Sequence, residues 1–206
     1  WNDRLIGIKG TRGVGKTTFL LQYAKEKFGT DRSCLFINMN NFYFSGHSIV
    51  DFAYEFQRRG GKVLLIDQVF KHPDWSKELR LCYDRFPNLK IVFTGSSVMR
   101  LKEENLELRD IVKSYNLRGF SFREYLNLQT GMKFRSYSLE EILSNHEQIA
   151  KGIPSKVRPL DHFQDYMHHG FYPFFLEKRN FSENLLKTMN MMVEVDILLI
   201  KQIELK

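Results

Sequence analysis

The chain has 206 residues, of which 43% are hydrophobic and 27% are charged, a composition typical of one or two globular domains and not of a disordered or fibrous protein. The formal net charge of +7 permits an acidic partner such as nucleic acid, but the basic residues form no long run, so a mildly basic surface explains it as simply. Cys34 and Cys82 lack metal-ligand spacing and indicate a reducing, cytoplasmic setting. We expect no contact with a membrane, because the apolar residues 189–200 include Glu194 and Asp196.

A phosphate-binding motif follows the first apolar segment. Residues 5–8, Leu-Ile-Gly-Ile, predict a short buried strand, and residues 10–17 read Gly-Thr-Arg-Gly-Val-Gly-Lys-Thr. This is the G-x-x-x-x-G-K-T pattern of loops that bind ATP or GTP. Apolar residues at helical spacing then predict a helix that ends near Gly29. A strand, a glycine-rich loop and a helix are the geometry that this motif needs.

The residue types in this loop indicate how it would bind a nucleotide. The glycines allow successive backbone N–H groups to point at phosphate oxygens, at the positive end of a helix dipole. We expect Lys16 to reach the β- and γ-phosphates and the Thr17 hydroxyl to bind Mg²⁺. No guanine-reading motif is present, so ATP is favoured over GTP. The predicted nucleotide-binding residues are Gly10, Arg12, Gly13, Val14, Gly15, Lys16, Thr17 and Thr18.

The next part of the chain alternates between strands and helices. Strands are predicted at residues 33–39, 63–67, 91–97 and 115–117, and helices begin at Ser48 and after Asp74, which is expected to be an N-cap. Residues 98–112 are expected to be helical in part. This alternation predicts an α/β fold with a parallel sheet covered by helices on both faces. In the loop at residues 40–46, burial of the aromatic residues under the sheet is favoured over stacking on a base.

The pattern becomes helical from about residue 120. Capping boxes at Ser121–Glu124 and Ser138–Glu141 open two helices, a third is predicted at residues 161–169, and a long one begins at Ser182. We therefore predict a nucleotide-binding domain at residues 1–119 and a mainly helical, lid-like subdomain at 120–206. Because the sequence begins at Trp1 and has no clear stop, we expect a fragment of a longer protein.

Asp67 is the predicted partner of the phosphate loop. It ends the apolar strand at residues 63–67, and an acid in this position, the Walker B pattern, holds the Mg²⁺ shell in ATPases. The simpler alternative is a strand-end Asp that caps a turn. Gln68 follows where many ATPases have a catalytic Glu, and a carboxamide cannot accept the proton of the attacking water. Gln68 could orient water and give slow turnover, belong to a switch that rarely hydrolyses, or be a substitution introduced to trap nucleotide.

Polar residues after the fourth predicted strand are candidates for a contact with the γ-phosphate. Thr94, Ser96 and Ser97 all lie at its end, where a polar side chain can act as sensor 1, and we place Ser96 in the catalytic set. A polar turn is the alternative. Of Arg100, Arg109 and Arg118, Arg109 is the best candidate for an arginine finger that acts on a neighbouring subunit. The alternative is a solvated arginine.

Four segments together resemble prokaryotic AAA-like P-loop ATPases of the archaeal, STAND-related, additional-strand branch. They are I-G-I-K-G-T-R-G-V-G-K-T-T, L-L-I-D-Q-V-F-K-H-P-D-W, I-V-F-T-G-S-S and Y-N-L-R-G-F-S-F-R-E-Y-L, and residues 170–174 match a recurrent G-x-Y-P motif. The resemblance implies that the fourth strand lies between the strands of the phosphate loop and of Asp67. It also implies continuation into a winged-helix and a nuclease-like region. Members usually carry Glu after the Asp, so Gln68 is a departure.

The function expected from the sequence is Mg²⁺-dependent ATP binding with slow hydrolysis, coupled to the helical region. Lys16, Gln68, Ser96 and Arg109 form the expected catalytic set, and Thr17 and Asp67 the metal set. One alternative is a nucleotide-gated nucleic-acid-binding module with little hydrolysis. Another is a small-molecule kinase, although the long helical half argues against it.

Overall fold

The computed structural model describes residues 2–96, 105–153, 155–177 and 180–197. Its centre is a parallel sheet of five strands in the order β2-β3-β4-β1-β5. The predicted α/β fold class is confirmed. The strands are β1 (Leu5–Gly10), β2 (Cys34–Asn38), β3 (Val63–Asp67), β4 (Lys90–Ser96) and β5 (Lys113–Asn116). The strand that ends in Ser96 therefore lies between the strand of the phosphate loop and the strand that ends at Asp67.

Helices cover both faces of the sheet because side chains alternate along each buried strand. On β3, Val63 and Leu65 pack in one cluster with Leu20 of α1 (Lys16–Lys27). Leu64 and Ile66 face the other cluster, which contains residues of α2 (Ile49–Arg58) and α3 (Trp75–Arg85). Every residue of β3 is buried. The continuous apolar run that predicts this strand is thus explained by burial on both faces.

Two local predictions in this part of the chain need correction. Asp74 precedes α3 as expected, but its backbone is left-handed (φ 51°) and its side chain caps nothing. Its carboxylate instead pairs with Lys77 at 2.8 Å. In the loop after β2, Phe44 is buried as expected, whereas Phe42 is 88% exposed. The aromatic residues of this loop are therefore divided between the core and the surface.

The described chain divides into two compact units, and the second unit comprises Gly119–Asn184. The first unit extends to Arg118 and includes the chain again from Leu185. The sequence instead predicts that this last segment belongs to the helical subdomain at 120–206. The helices from residue 120 onward are α4 (Phe122–Thr130), α5 (Leu139–Gly152), α6 (Pro159–Asp165) and α7 (Phe181–Met191). Among the described residues, no helix combines the length and apolar character that a membrane crossing requires.

The second unit brings together two segments that the resemblance singles out. Both predicted capping boxes are formed, at the starts of α4 and α5. The backbone N–H of Phe120 donates to the carbonyl oxygen of Phe171 at 2.9 Å, and the Tyr166 hydroxyl donates to the carbonyl oxygen of Phe120 at 2.9 Å. The segment that opens α4 and the segment that contains the G-x-Y-P motif therefore support each other's backbone. We assign these motifs a structural role within this unit.

Candidate functional site

The loop between β1 and α1 has the backbone that a phosphate site requires. Gly13 and Gly15 have φ angles of 85° and 91°, and Gly15 is the N-cap residue of α1. Residues with a side chain rarely adopt such angles. A Cβ atom on Gly10 would lie 2.3 Å from the carbonyl oxygen of Leu117, so this position is also restricted to glycine. The glycines of the motif are explained by the geometry of the loop itself.

Lys16 is folded into this loop. Its Nζ atom donates hydrogen bonds of 2.8 Å to the carbonyl oxygens of Gly10 and Thr11. A phosphate oxygen carries more negative charge than a carbonyl oxygen and would compete well for the ammonium group. The loop therefore holds a positive charge at the N-terminal end of a helix, where anions are favoured.

Asp67 is the centre of a hydrogen-bond network at the carboxyl end of the sheet. It is only 1% exposed. Its Oδ2 atom accepts from the Thr17 hydroxyl at 2.9 Å and from Nδ2 of Asn38 at 2.9 Å. Its Oδ1 atom accepts from the Thr94 hydroxyl at 2.6 Å. The buried carboxylate is therefore held by side chains from α1, β2 and β4.

The donors around Asp67 fit a magnesium ion bound beside the loop. A carboxylate has about four lone-pair positions, and three hydrogen bonds leave one for a metal-bound water. The Thr17 hydroxyl gives its proton to Asp67 and so turns its own lone pairs toward any cation. Mg²⁺ is bound in such sites by one or two protein oxygens, phosphates and water. Among the described residues, no group of three or more His, Cys, Asp or Glu side chains could hold a metal ion.

The two described sensor candidates occupy different environments. Thr94 is completely buried, and its hydroxyl both donates to Asp67 and accepts the backbone N–H of Gln68 at 2.9 Å. Ser96 lies at the end of β4, in register with Gly10, the first residue of the phosphate loop. Ser96 is also buried, with 6% of its surface exposed. Ser97 and Arg100 lie outside the described residues.

Gln68 has an unusual backbone and an unusual side chain. Its φ and ψ angles are 56° and 47°, a left-handed conformation that costs about 1–2 kcal/mol for a residue with a Cβ atom. Its Oε1 atom is buried and accepts no hydrogen bond from any residue that the structure describes. A buried acceptor without a partner is unfavourable by about 1–3 kcal/mol. A water molecule is one group that could donate to this atom.

The remaining candidates are spread around the loop and the sheet. Val14 is buried and contributes to the packing of the loop, whereas Thr18 is exposed and Arg12 is half-buried. Arg109 follows the short helical turn Leu106–Leu108 and is exposed. Arg118 is exposed as well. Neither arginine is among the side chains that hydrogen-bond to Asp67.

Asn38 is a site residue that the sequence analysis misses. It ends β2 and lies in register with Asp67 on the neighbouring strand. The signal for it is the same as for Asp67, namely a polar residue at the end of an apolar strand. A cavity of ≈ 450 Å³ opens beside Asn38 and is lined in addition by Phe36, Ile37, Asn41, Tyr43, Phe44 and Phe52.

The chain is similar in sequence to known proteins. The sequence model of a family described as AAA domain matches residues 2–126, which include the phosphate loop, Asp67 and the start of α4. An uncharacterized protein of Methanocaldococcus jannaschii is 31% identical over 192 residues, which cover 85% of this chain. The aligned region is only 40% of that relative's length.

Proposed function

Because the chain belongs to the AAA domain family of P-loop proteins, we propose that it binds ATP with Mg²⁺ and hydrolyses it slowly. One observation carries this proposal. The Thr17 hydroxyl donates to Asp67, 50 residues away in the sequence, at 2.9 Å. This contact joins the phosphate loop to the acidic strand end, so a nucleotide on the loop would have its metal beside Asp67.

The residues have distinct roles in this proposal. Lys16 and the backbone N–H groups of the loop neutralise the β- and γ-phosphates, while Thr17 binds the ion and Asp67 holds its water shell. Magnesium supplies charge stabilisation between the phosphates when bound. Ser96 contacts the γ-phosphate from the end of β4. Phosphoryl transfer needs positioning and charge stabilisation more than covalent chemistry, so a site with Gln68 is expected to be slow and still competent.

We favour the water-orienting role for Gln68 over a switch that rarely hydrolyses and over a substitution introduced to trap nucleotide, because of its Oε1 atom. This atom is a buried acceptor without a partner among the described residues, so a rotation of the side chain that brings it to a water beside the γ-phosphate would supply the missing hydrogen bond. A carboxamide can accept this hydrogen bond but cannot remove the proton. We therefore attribute slow turnover to an oriented and unactivated water.

The test is ATP binding and phosphate release by the wild-type chain and by Lys16→Ala. We expect Lys16→Ala to abolish binding, because the loop loses the ammonium group that is expected to reach the β- and γ-phosphates. The matched control is Lys25→Ala, which removes an exposed lysine from the same helix. Equal ATP affinity in wild type and Lys16→Ala would refute the site.

Self-association through Arg109 forms a second part of the proposal. Arg109 is exposed, as a residue that acts on a neighbouring copy's nucleotide must be. If Arg109 acts on the nucleotide of a neighbouring copy, turnover per chain rises with protein concentration. Arg109→Ala then removes that rise without changing ATP affinity. Turnover that is independent of concentration would exclude this role.

Two alternatives each have one observation in their favour. The cavity beside Asn38 has the volume of a small-molecule site, as a kinase needs for its acceptor, and phosphate release to water without any acceptor would exclude a kinase. Phe42 is 88% exposed in the loop after β2 and could stack on a base of single-stranded nucleic acid. Strong, salt-sensitive DNA binding that changes when ATP is added, with little release of phosphate, would favour this second alternative.

A further inference from the structure

The amide of Asn38 is held in one orientation by its own loop. Its Oδ1 atom accepts the backbone N–H of Asn40 at 2.8 Å, which is the local turn that asparagine commonly forms. This contact leaves the Nδ2 group pointing at Asp67, where it donates to Oδ2 at 2.9 Å. The turn thus specifies which end of the amide faces the carboxylate.

Asn38 differs from the other donor to the same oxygen. Thr17 also donates to Oδ2 of Asp67, but the proposed function requires the Thr17 oxygen to bind the cation as well. Asn38 comes from the neighbouring strand β2 and has no such second task. Thr94 of β4 donates to the other carboxylate oxygen. Asn38 and Thr94 therefore restrain the carboxylate plane from the two strands on either side of β3.

We propose that Asn38 is a positioning residue for the magnesium site, acting through Asp67 and not through the nucleotide. This inference rests on the proposed function. Outer-shell partners of metal ligands orient those ligands and raise metal affinity. Removal of the Nδ2 donor would leave Oδ2 of Asp67 restrained by Thr17 alone, and the penalty would fall on Mg²⁺ affinity while the phosphate loop remains intact.

The test compares Asn38→Ser with a matched control. Serine can still accept the Asn40 N–H in a similar turn but lacks the amide donor. The control is Asn41→Ser, since the Asn41 side chain likewise accepts a backbone N–H, that of Tyr43, without contacting Asp67. If the serine variant fails to fold, Asn38→Thr serves in its place, because a β-branched residue suits a strand.

Two titrations are made on each variant. In the first, ATP binding is followed as Mg²⁺ is added, and we expect Asn38→Ser to need about tenfold more Mg²⁺ for half-saturation. In the second, ATP affinity is measured in EDTA, where Asn38→Ser, Asn41→Ser and wild type should agree. If Asn38→Ser lost as much ATP affinity in EDTA as it does in Mg²⁺, Asn38 would only support the fold, and the inference would be wrong.

The outcomes separate the inference from the proposed function. If Mg²⁺ clearly strengthens ATP binding by wild type and Asn38→Ser titrates identically, the inference is wrong and the proposed function stands. If wild type binds no ATP, or binds it without regard to Mg²⁺, the proposed function itself is wrong.

Discussion

The hydroxyl of Thr94 accepts the backbone N–H of Gln68 at 2.9 Å. The same hydroxyl donates its proton to Asp67, so one buried side chain on β4 holds both residues at the end of β3. This arrangement couples the carboxylate of Asp67 to the left-handed backbone of Gln68. The two features of the site therefore share one hydroxyl group.

Removal of this hydroxyl is expected to weaken the fold and the site together. Thr94→Val keeps the shape of the side chain but leaves a buried N–H and a carboxylate oxygen without their partner, which should lower the free energy of unfolding by about 1–3 kcal/mol. Urea denaturation measures this loss. Thr94→Ser, which retains the hydroxyl, is the control and should lose less. Equal stability of Thr94→Val and wild type would contradict the network.

Gln68→Glu tests whether water activation limits turnover. A carboxylate at this position can act as a general base, a contribution of about 10²–10⁴ in rate, so phosphate release should rise by about two orders of magnitude at saturating ATP. Gln57→Glu on α2 is the control for the added charge. An unchanged rate would instead indicate a missing arginine in trans or a missing partner region.

The two cysteines should be unreactive in the folded chain. Burial raises the pKa of Cys34 to about 11 and that of Cys82 to about 12. Since the thiolate is the reactive form, at pH 8 only about a thousandth of Cys34 would be reactive, and less of Cys82. A thiol reagent such as Ellman's should label neither residue until denaturant is added. Rapid labelling of one thiol per native chain would contradict the burial of that cysteine, and Cys34→Ser would identify which one.

The capping box of α4 should contribute stability that depends on pH. The Ser121 hydroxyl and then its backbone N–H donate to Glu124 and lower its pKa from 4.5. A lowered folded-state pKa means that this stabilisation is complete above the ordinary glutamate pKa and is lost as the pH falls through the folded-state value. Ser121→Ala should therefore cost about 1 kcal/mol at pH 7 and less near pH 3. Urea denaturation at both pH values, with Ser136→Ala as control, measures the difference.

The sequence predicts those parts of the site that local patterns encode. The phosphate loop and Asp67 follow from glycine spacing and from an apolar run that ends in an acid, and both capping boxes follow from Ser and Glu three residues apart. Asn38 also ends an apolar strand, but its contact with Asp67 depends on the register between β2 and β3, which no local pattern encodes. The failure of Asp74 as a side-chain cap has a similar origin, since its left-handed backbone and its pairing with Lys77 are set by the surrounding fold.

The division of roles between Thr94 and Ser96 was also beyond the sequence. Both are polar residues at the end of one strand, and they differ only in depth and in neighbours. Thr94 is completely buried and contacts Asp67 and Gln68 at the end of β3, whereas Ser96 lies two residues further along β4, in register with Gly10. Only the three-dimensional position shows that Thr94 is the one of the two that holds Asp67.

The three hydrogen bonds on the Asp67 carboxylate also bear on which divalent ion the site accepts. A carboxylate restrained on both oxygens cannot turn to offer both of them to one ion. Calcium binds six to eight oxygens and readily uses bidentate carboxylates, whereas magnesium is octahedral and keeps several water ligands. The site would then disfavour calcium because the restrained carboxylate cannot act as a bidentate ligand and help to fill calcium's larger coordination shell. The two ions carry the same charge, so charge would not distinguish them.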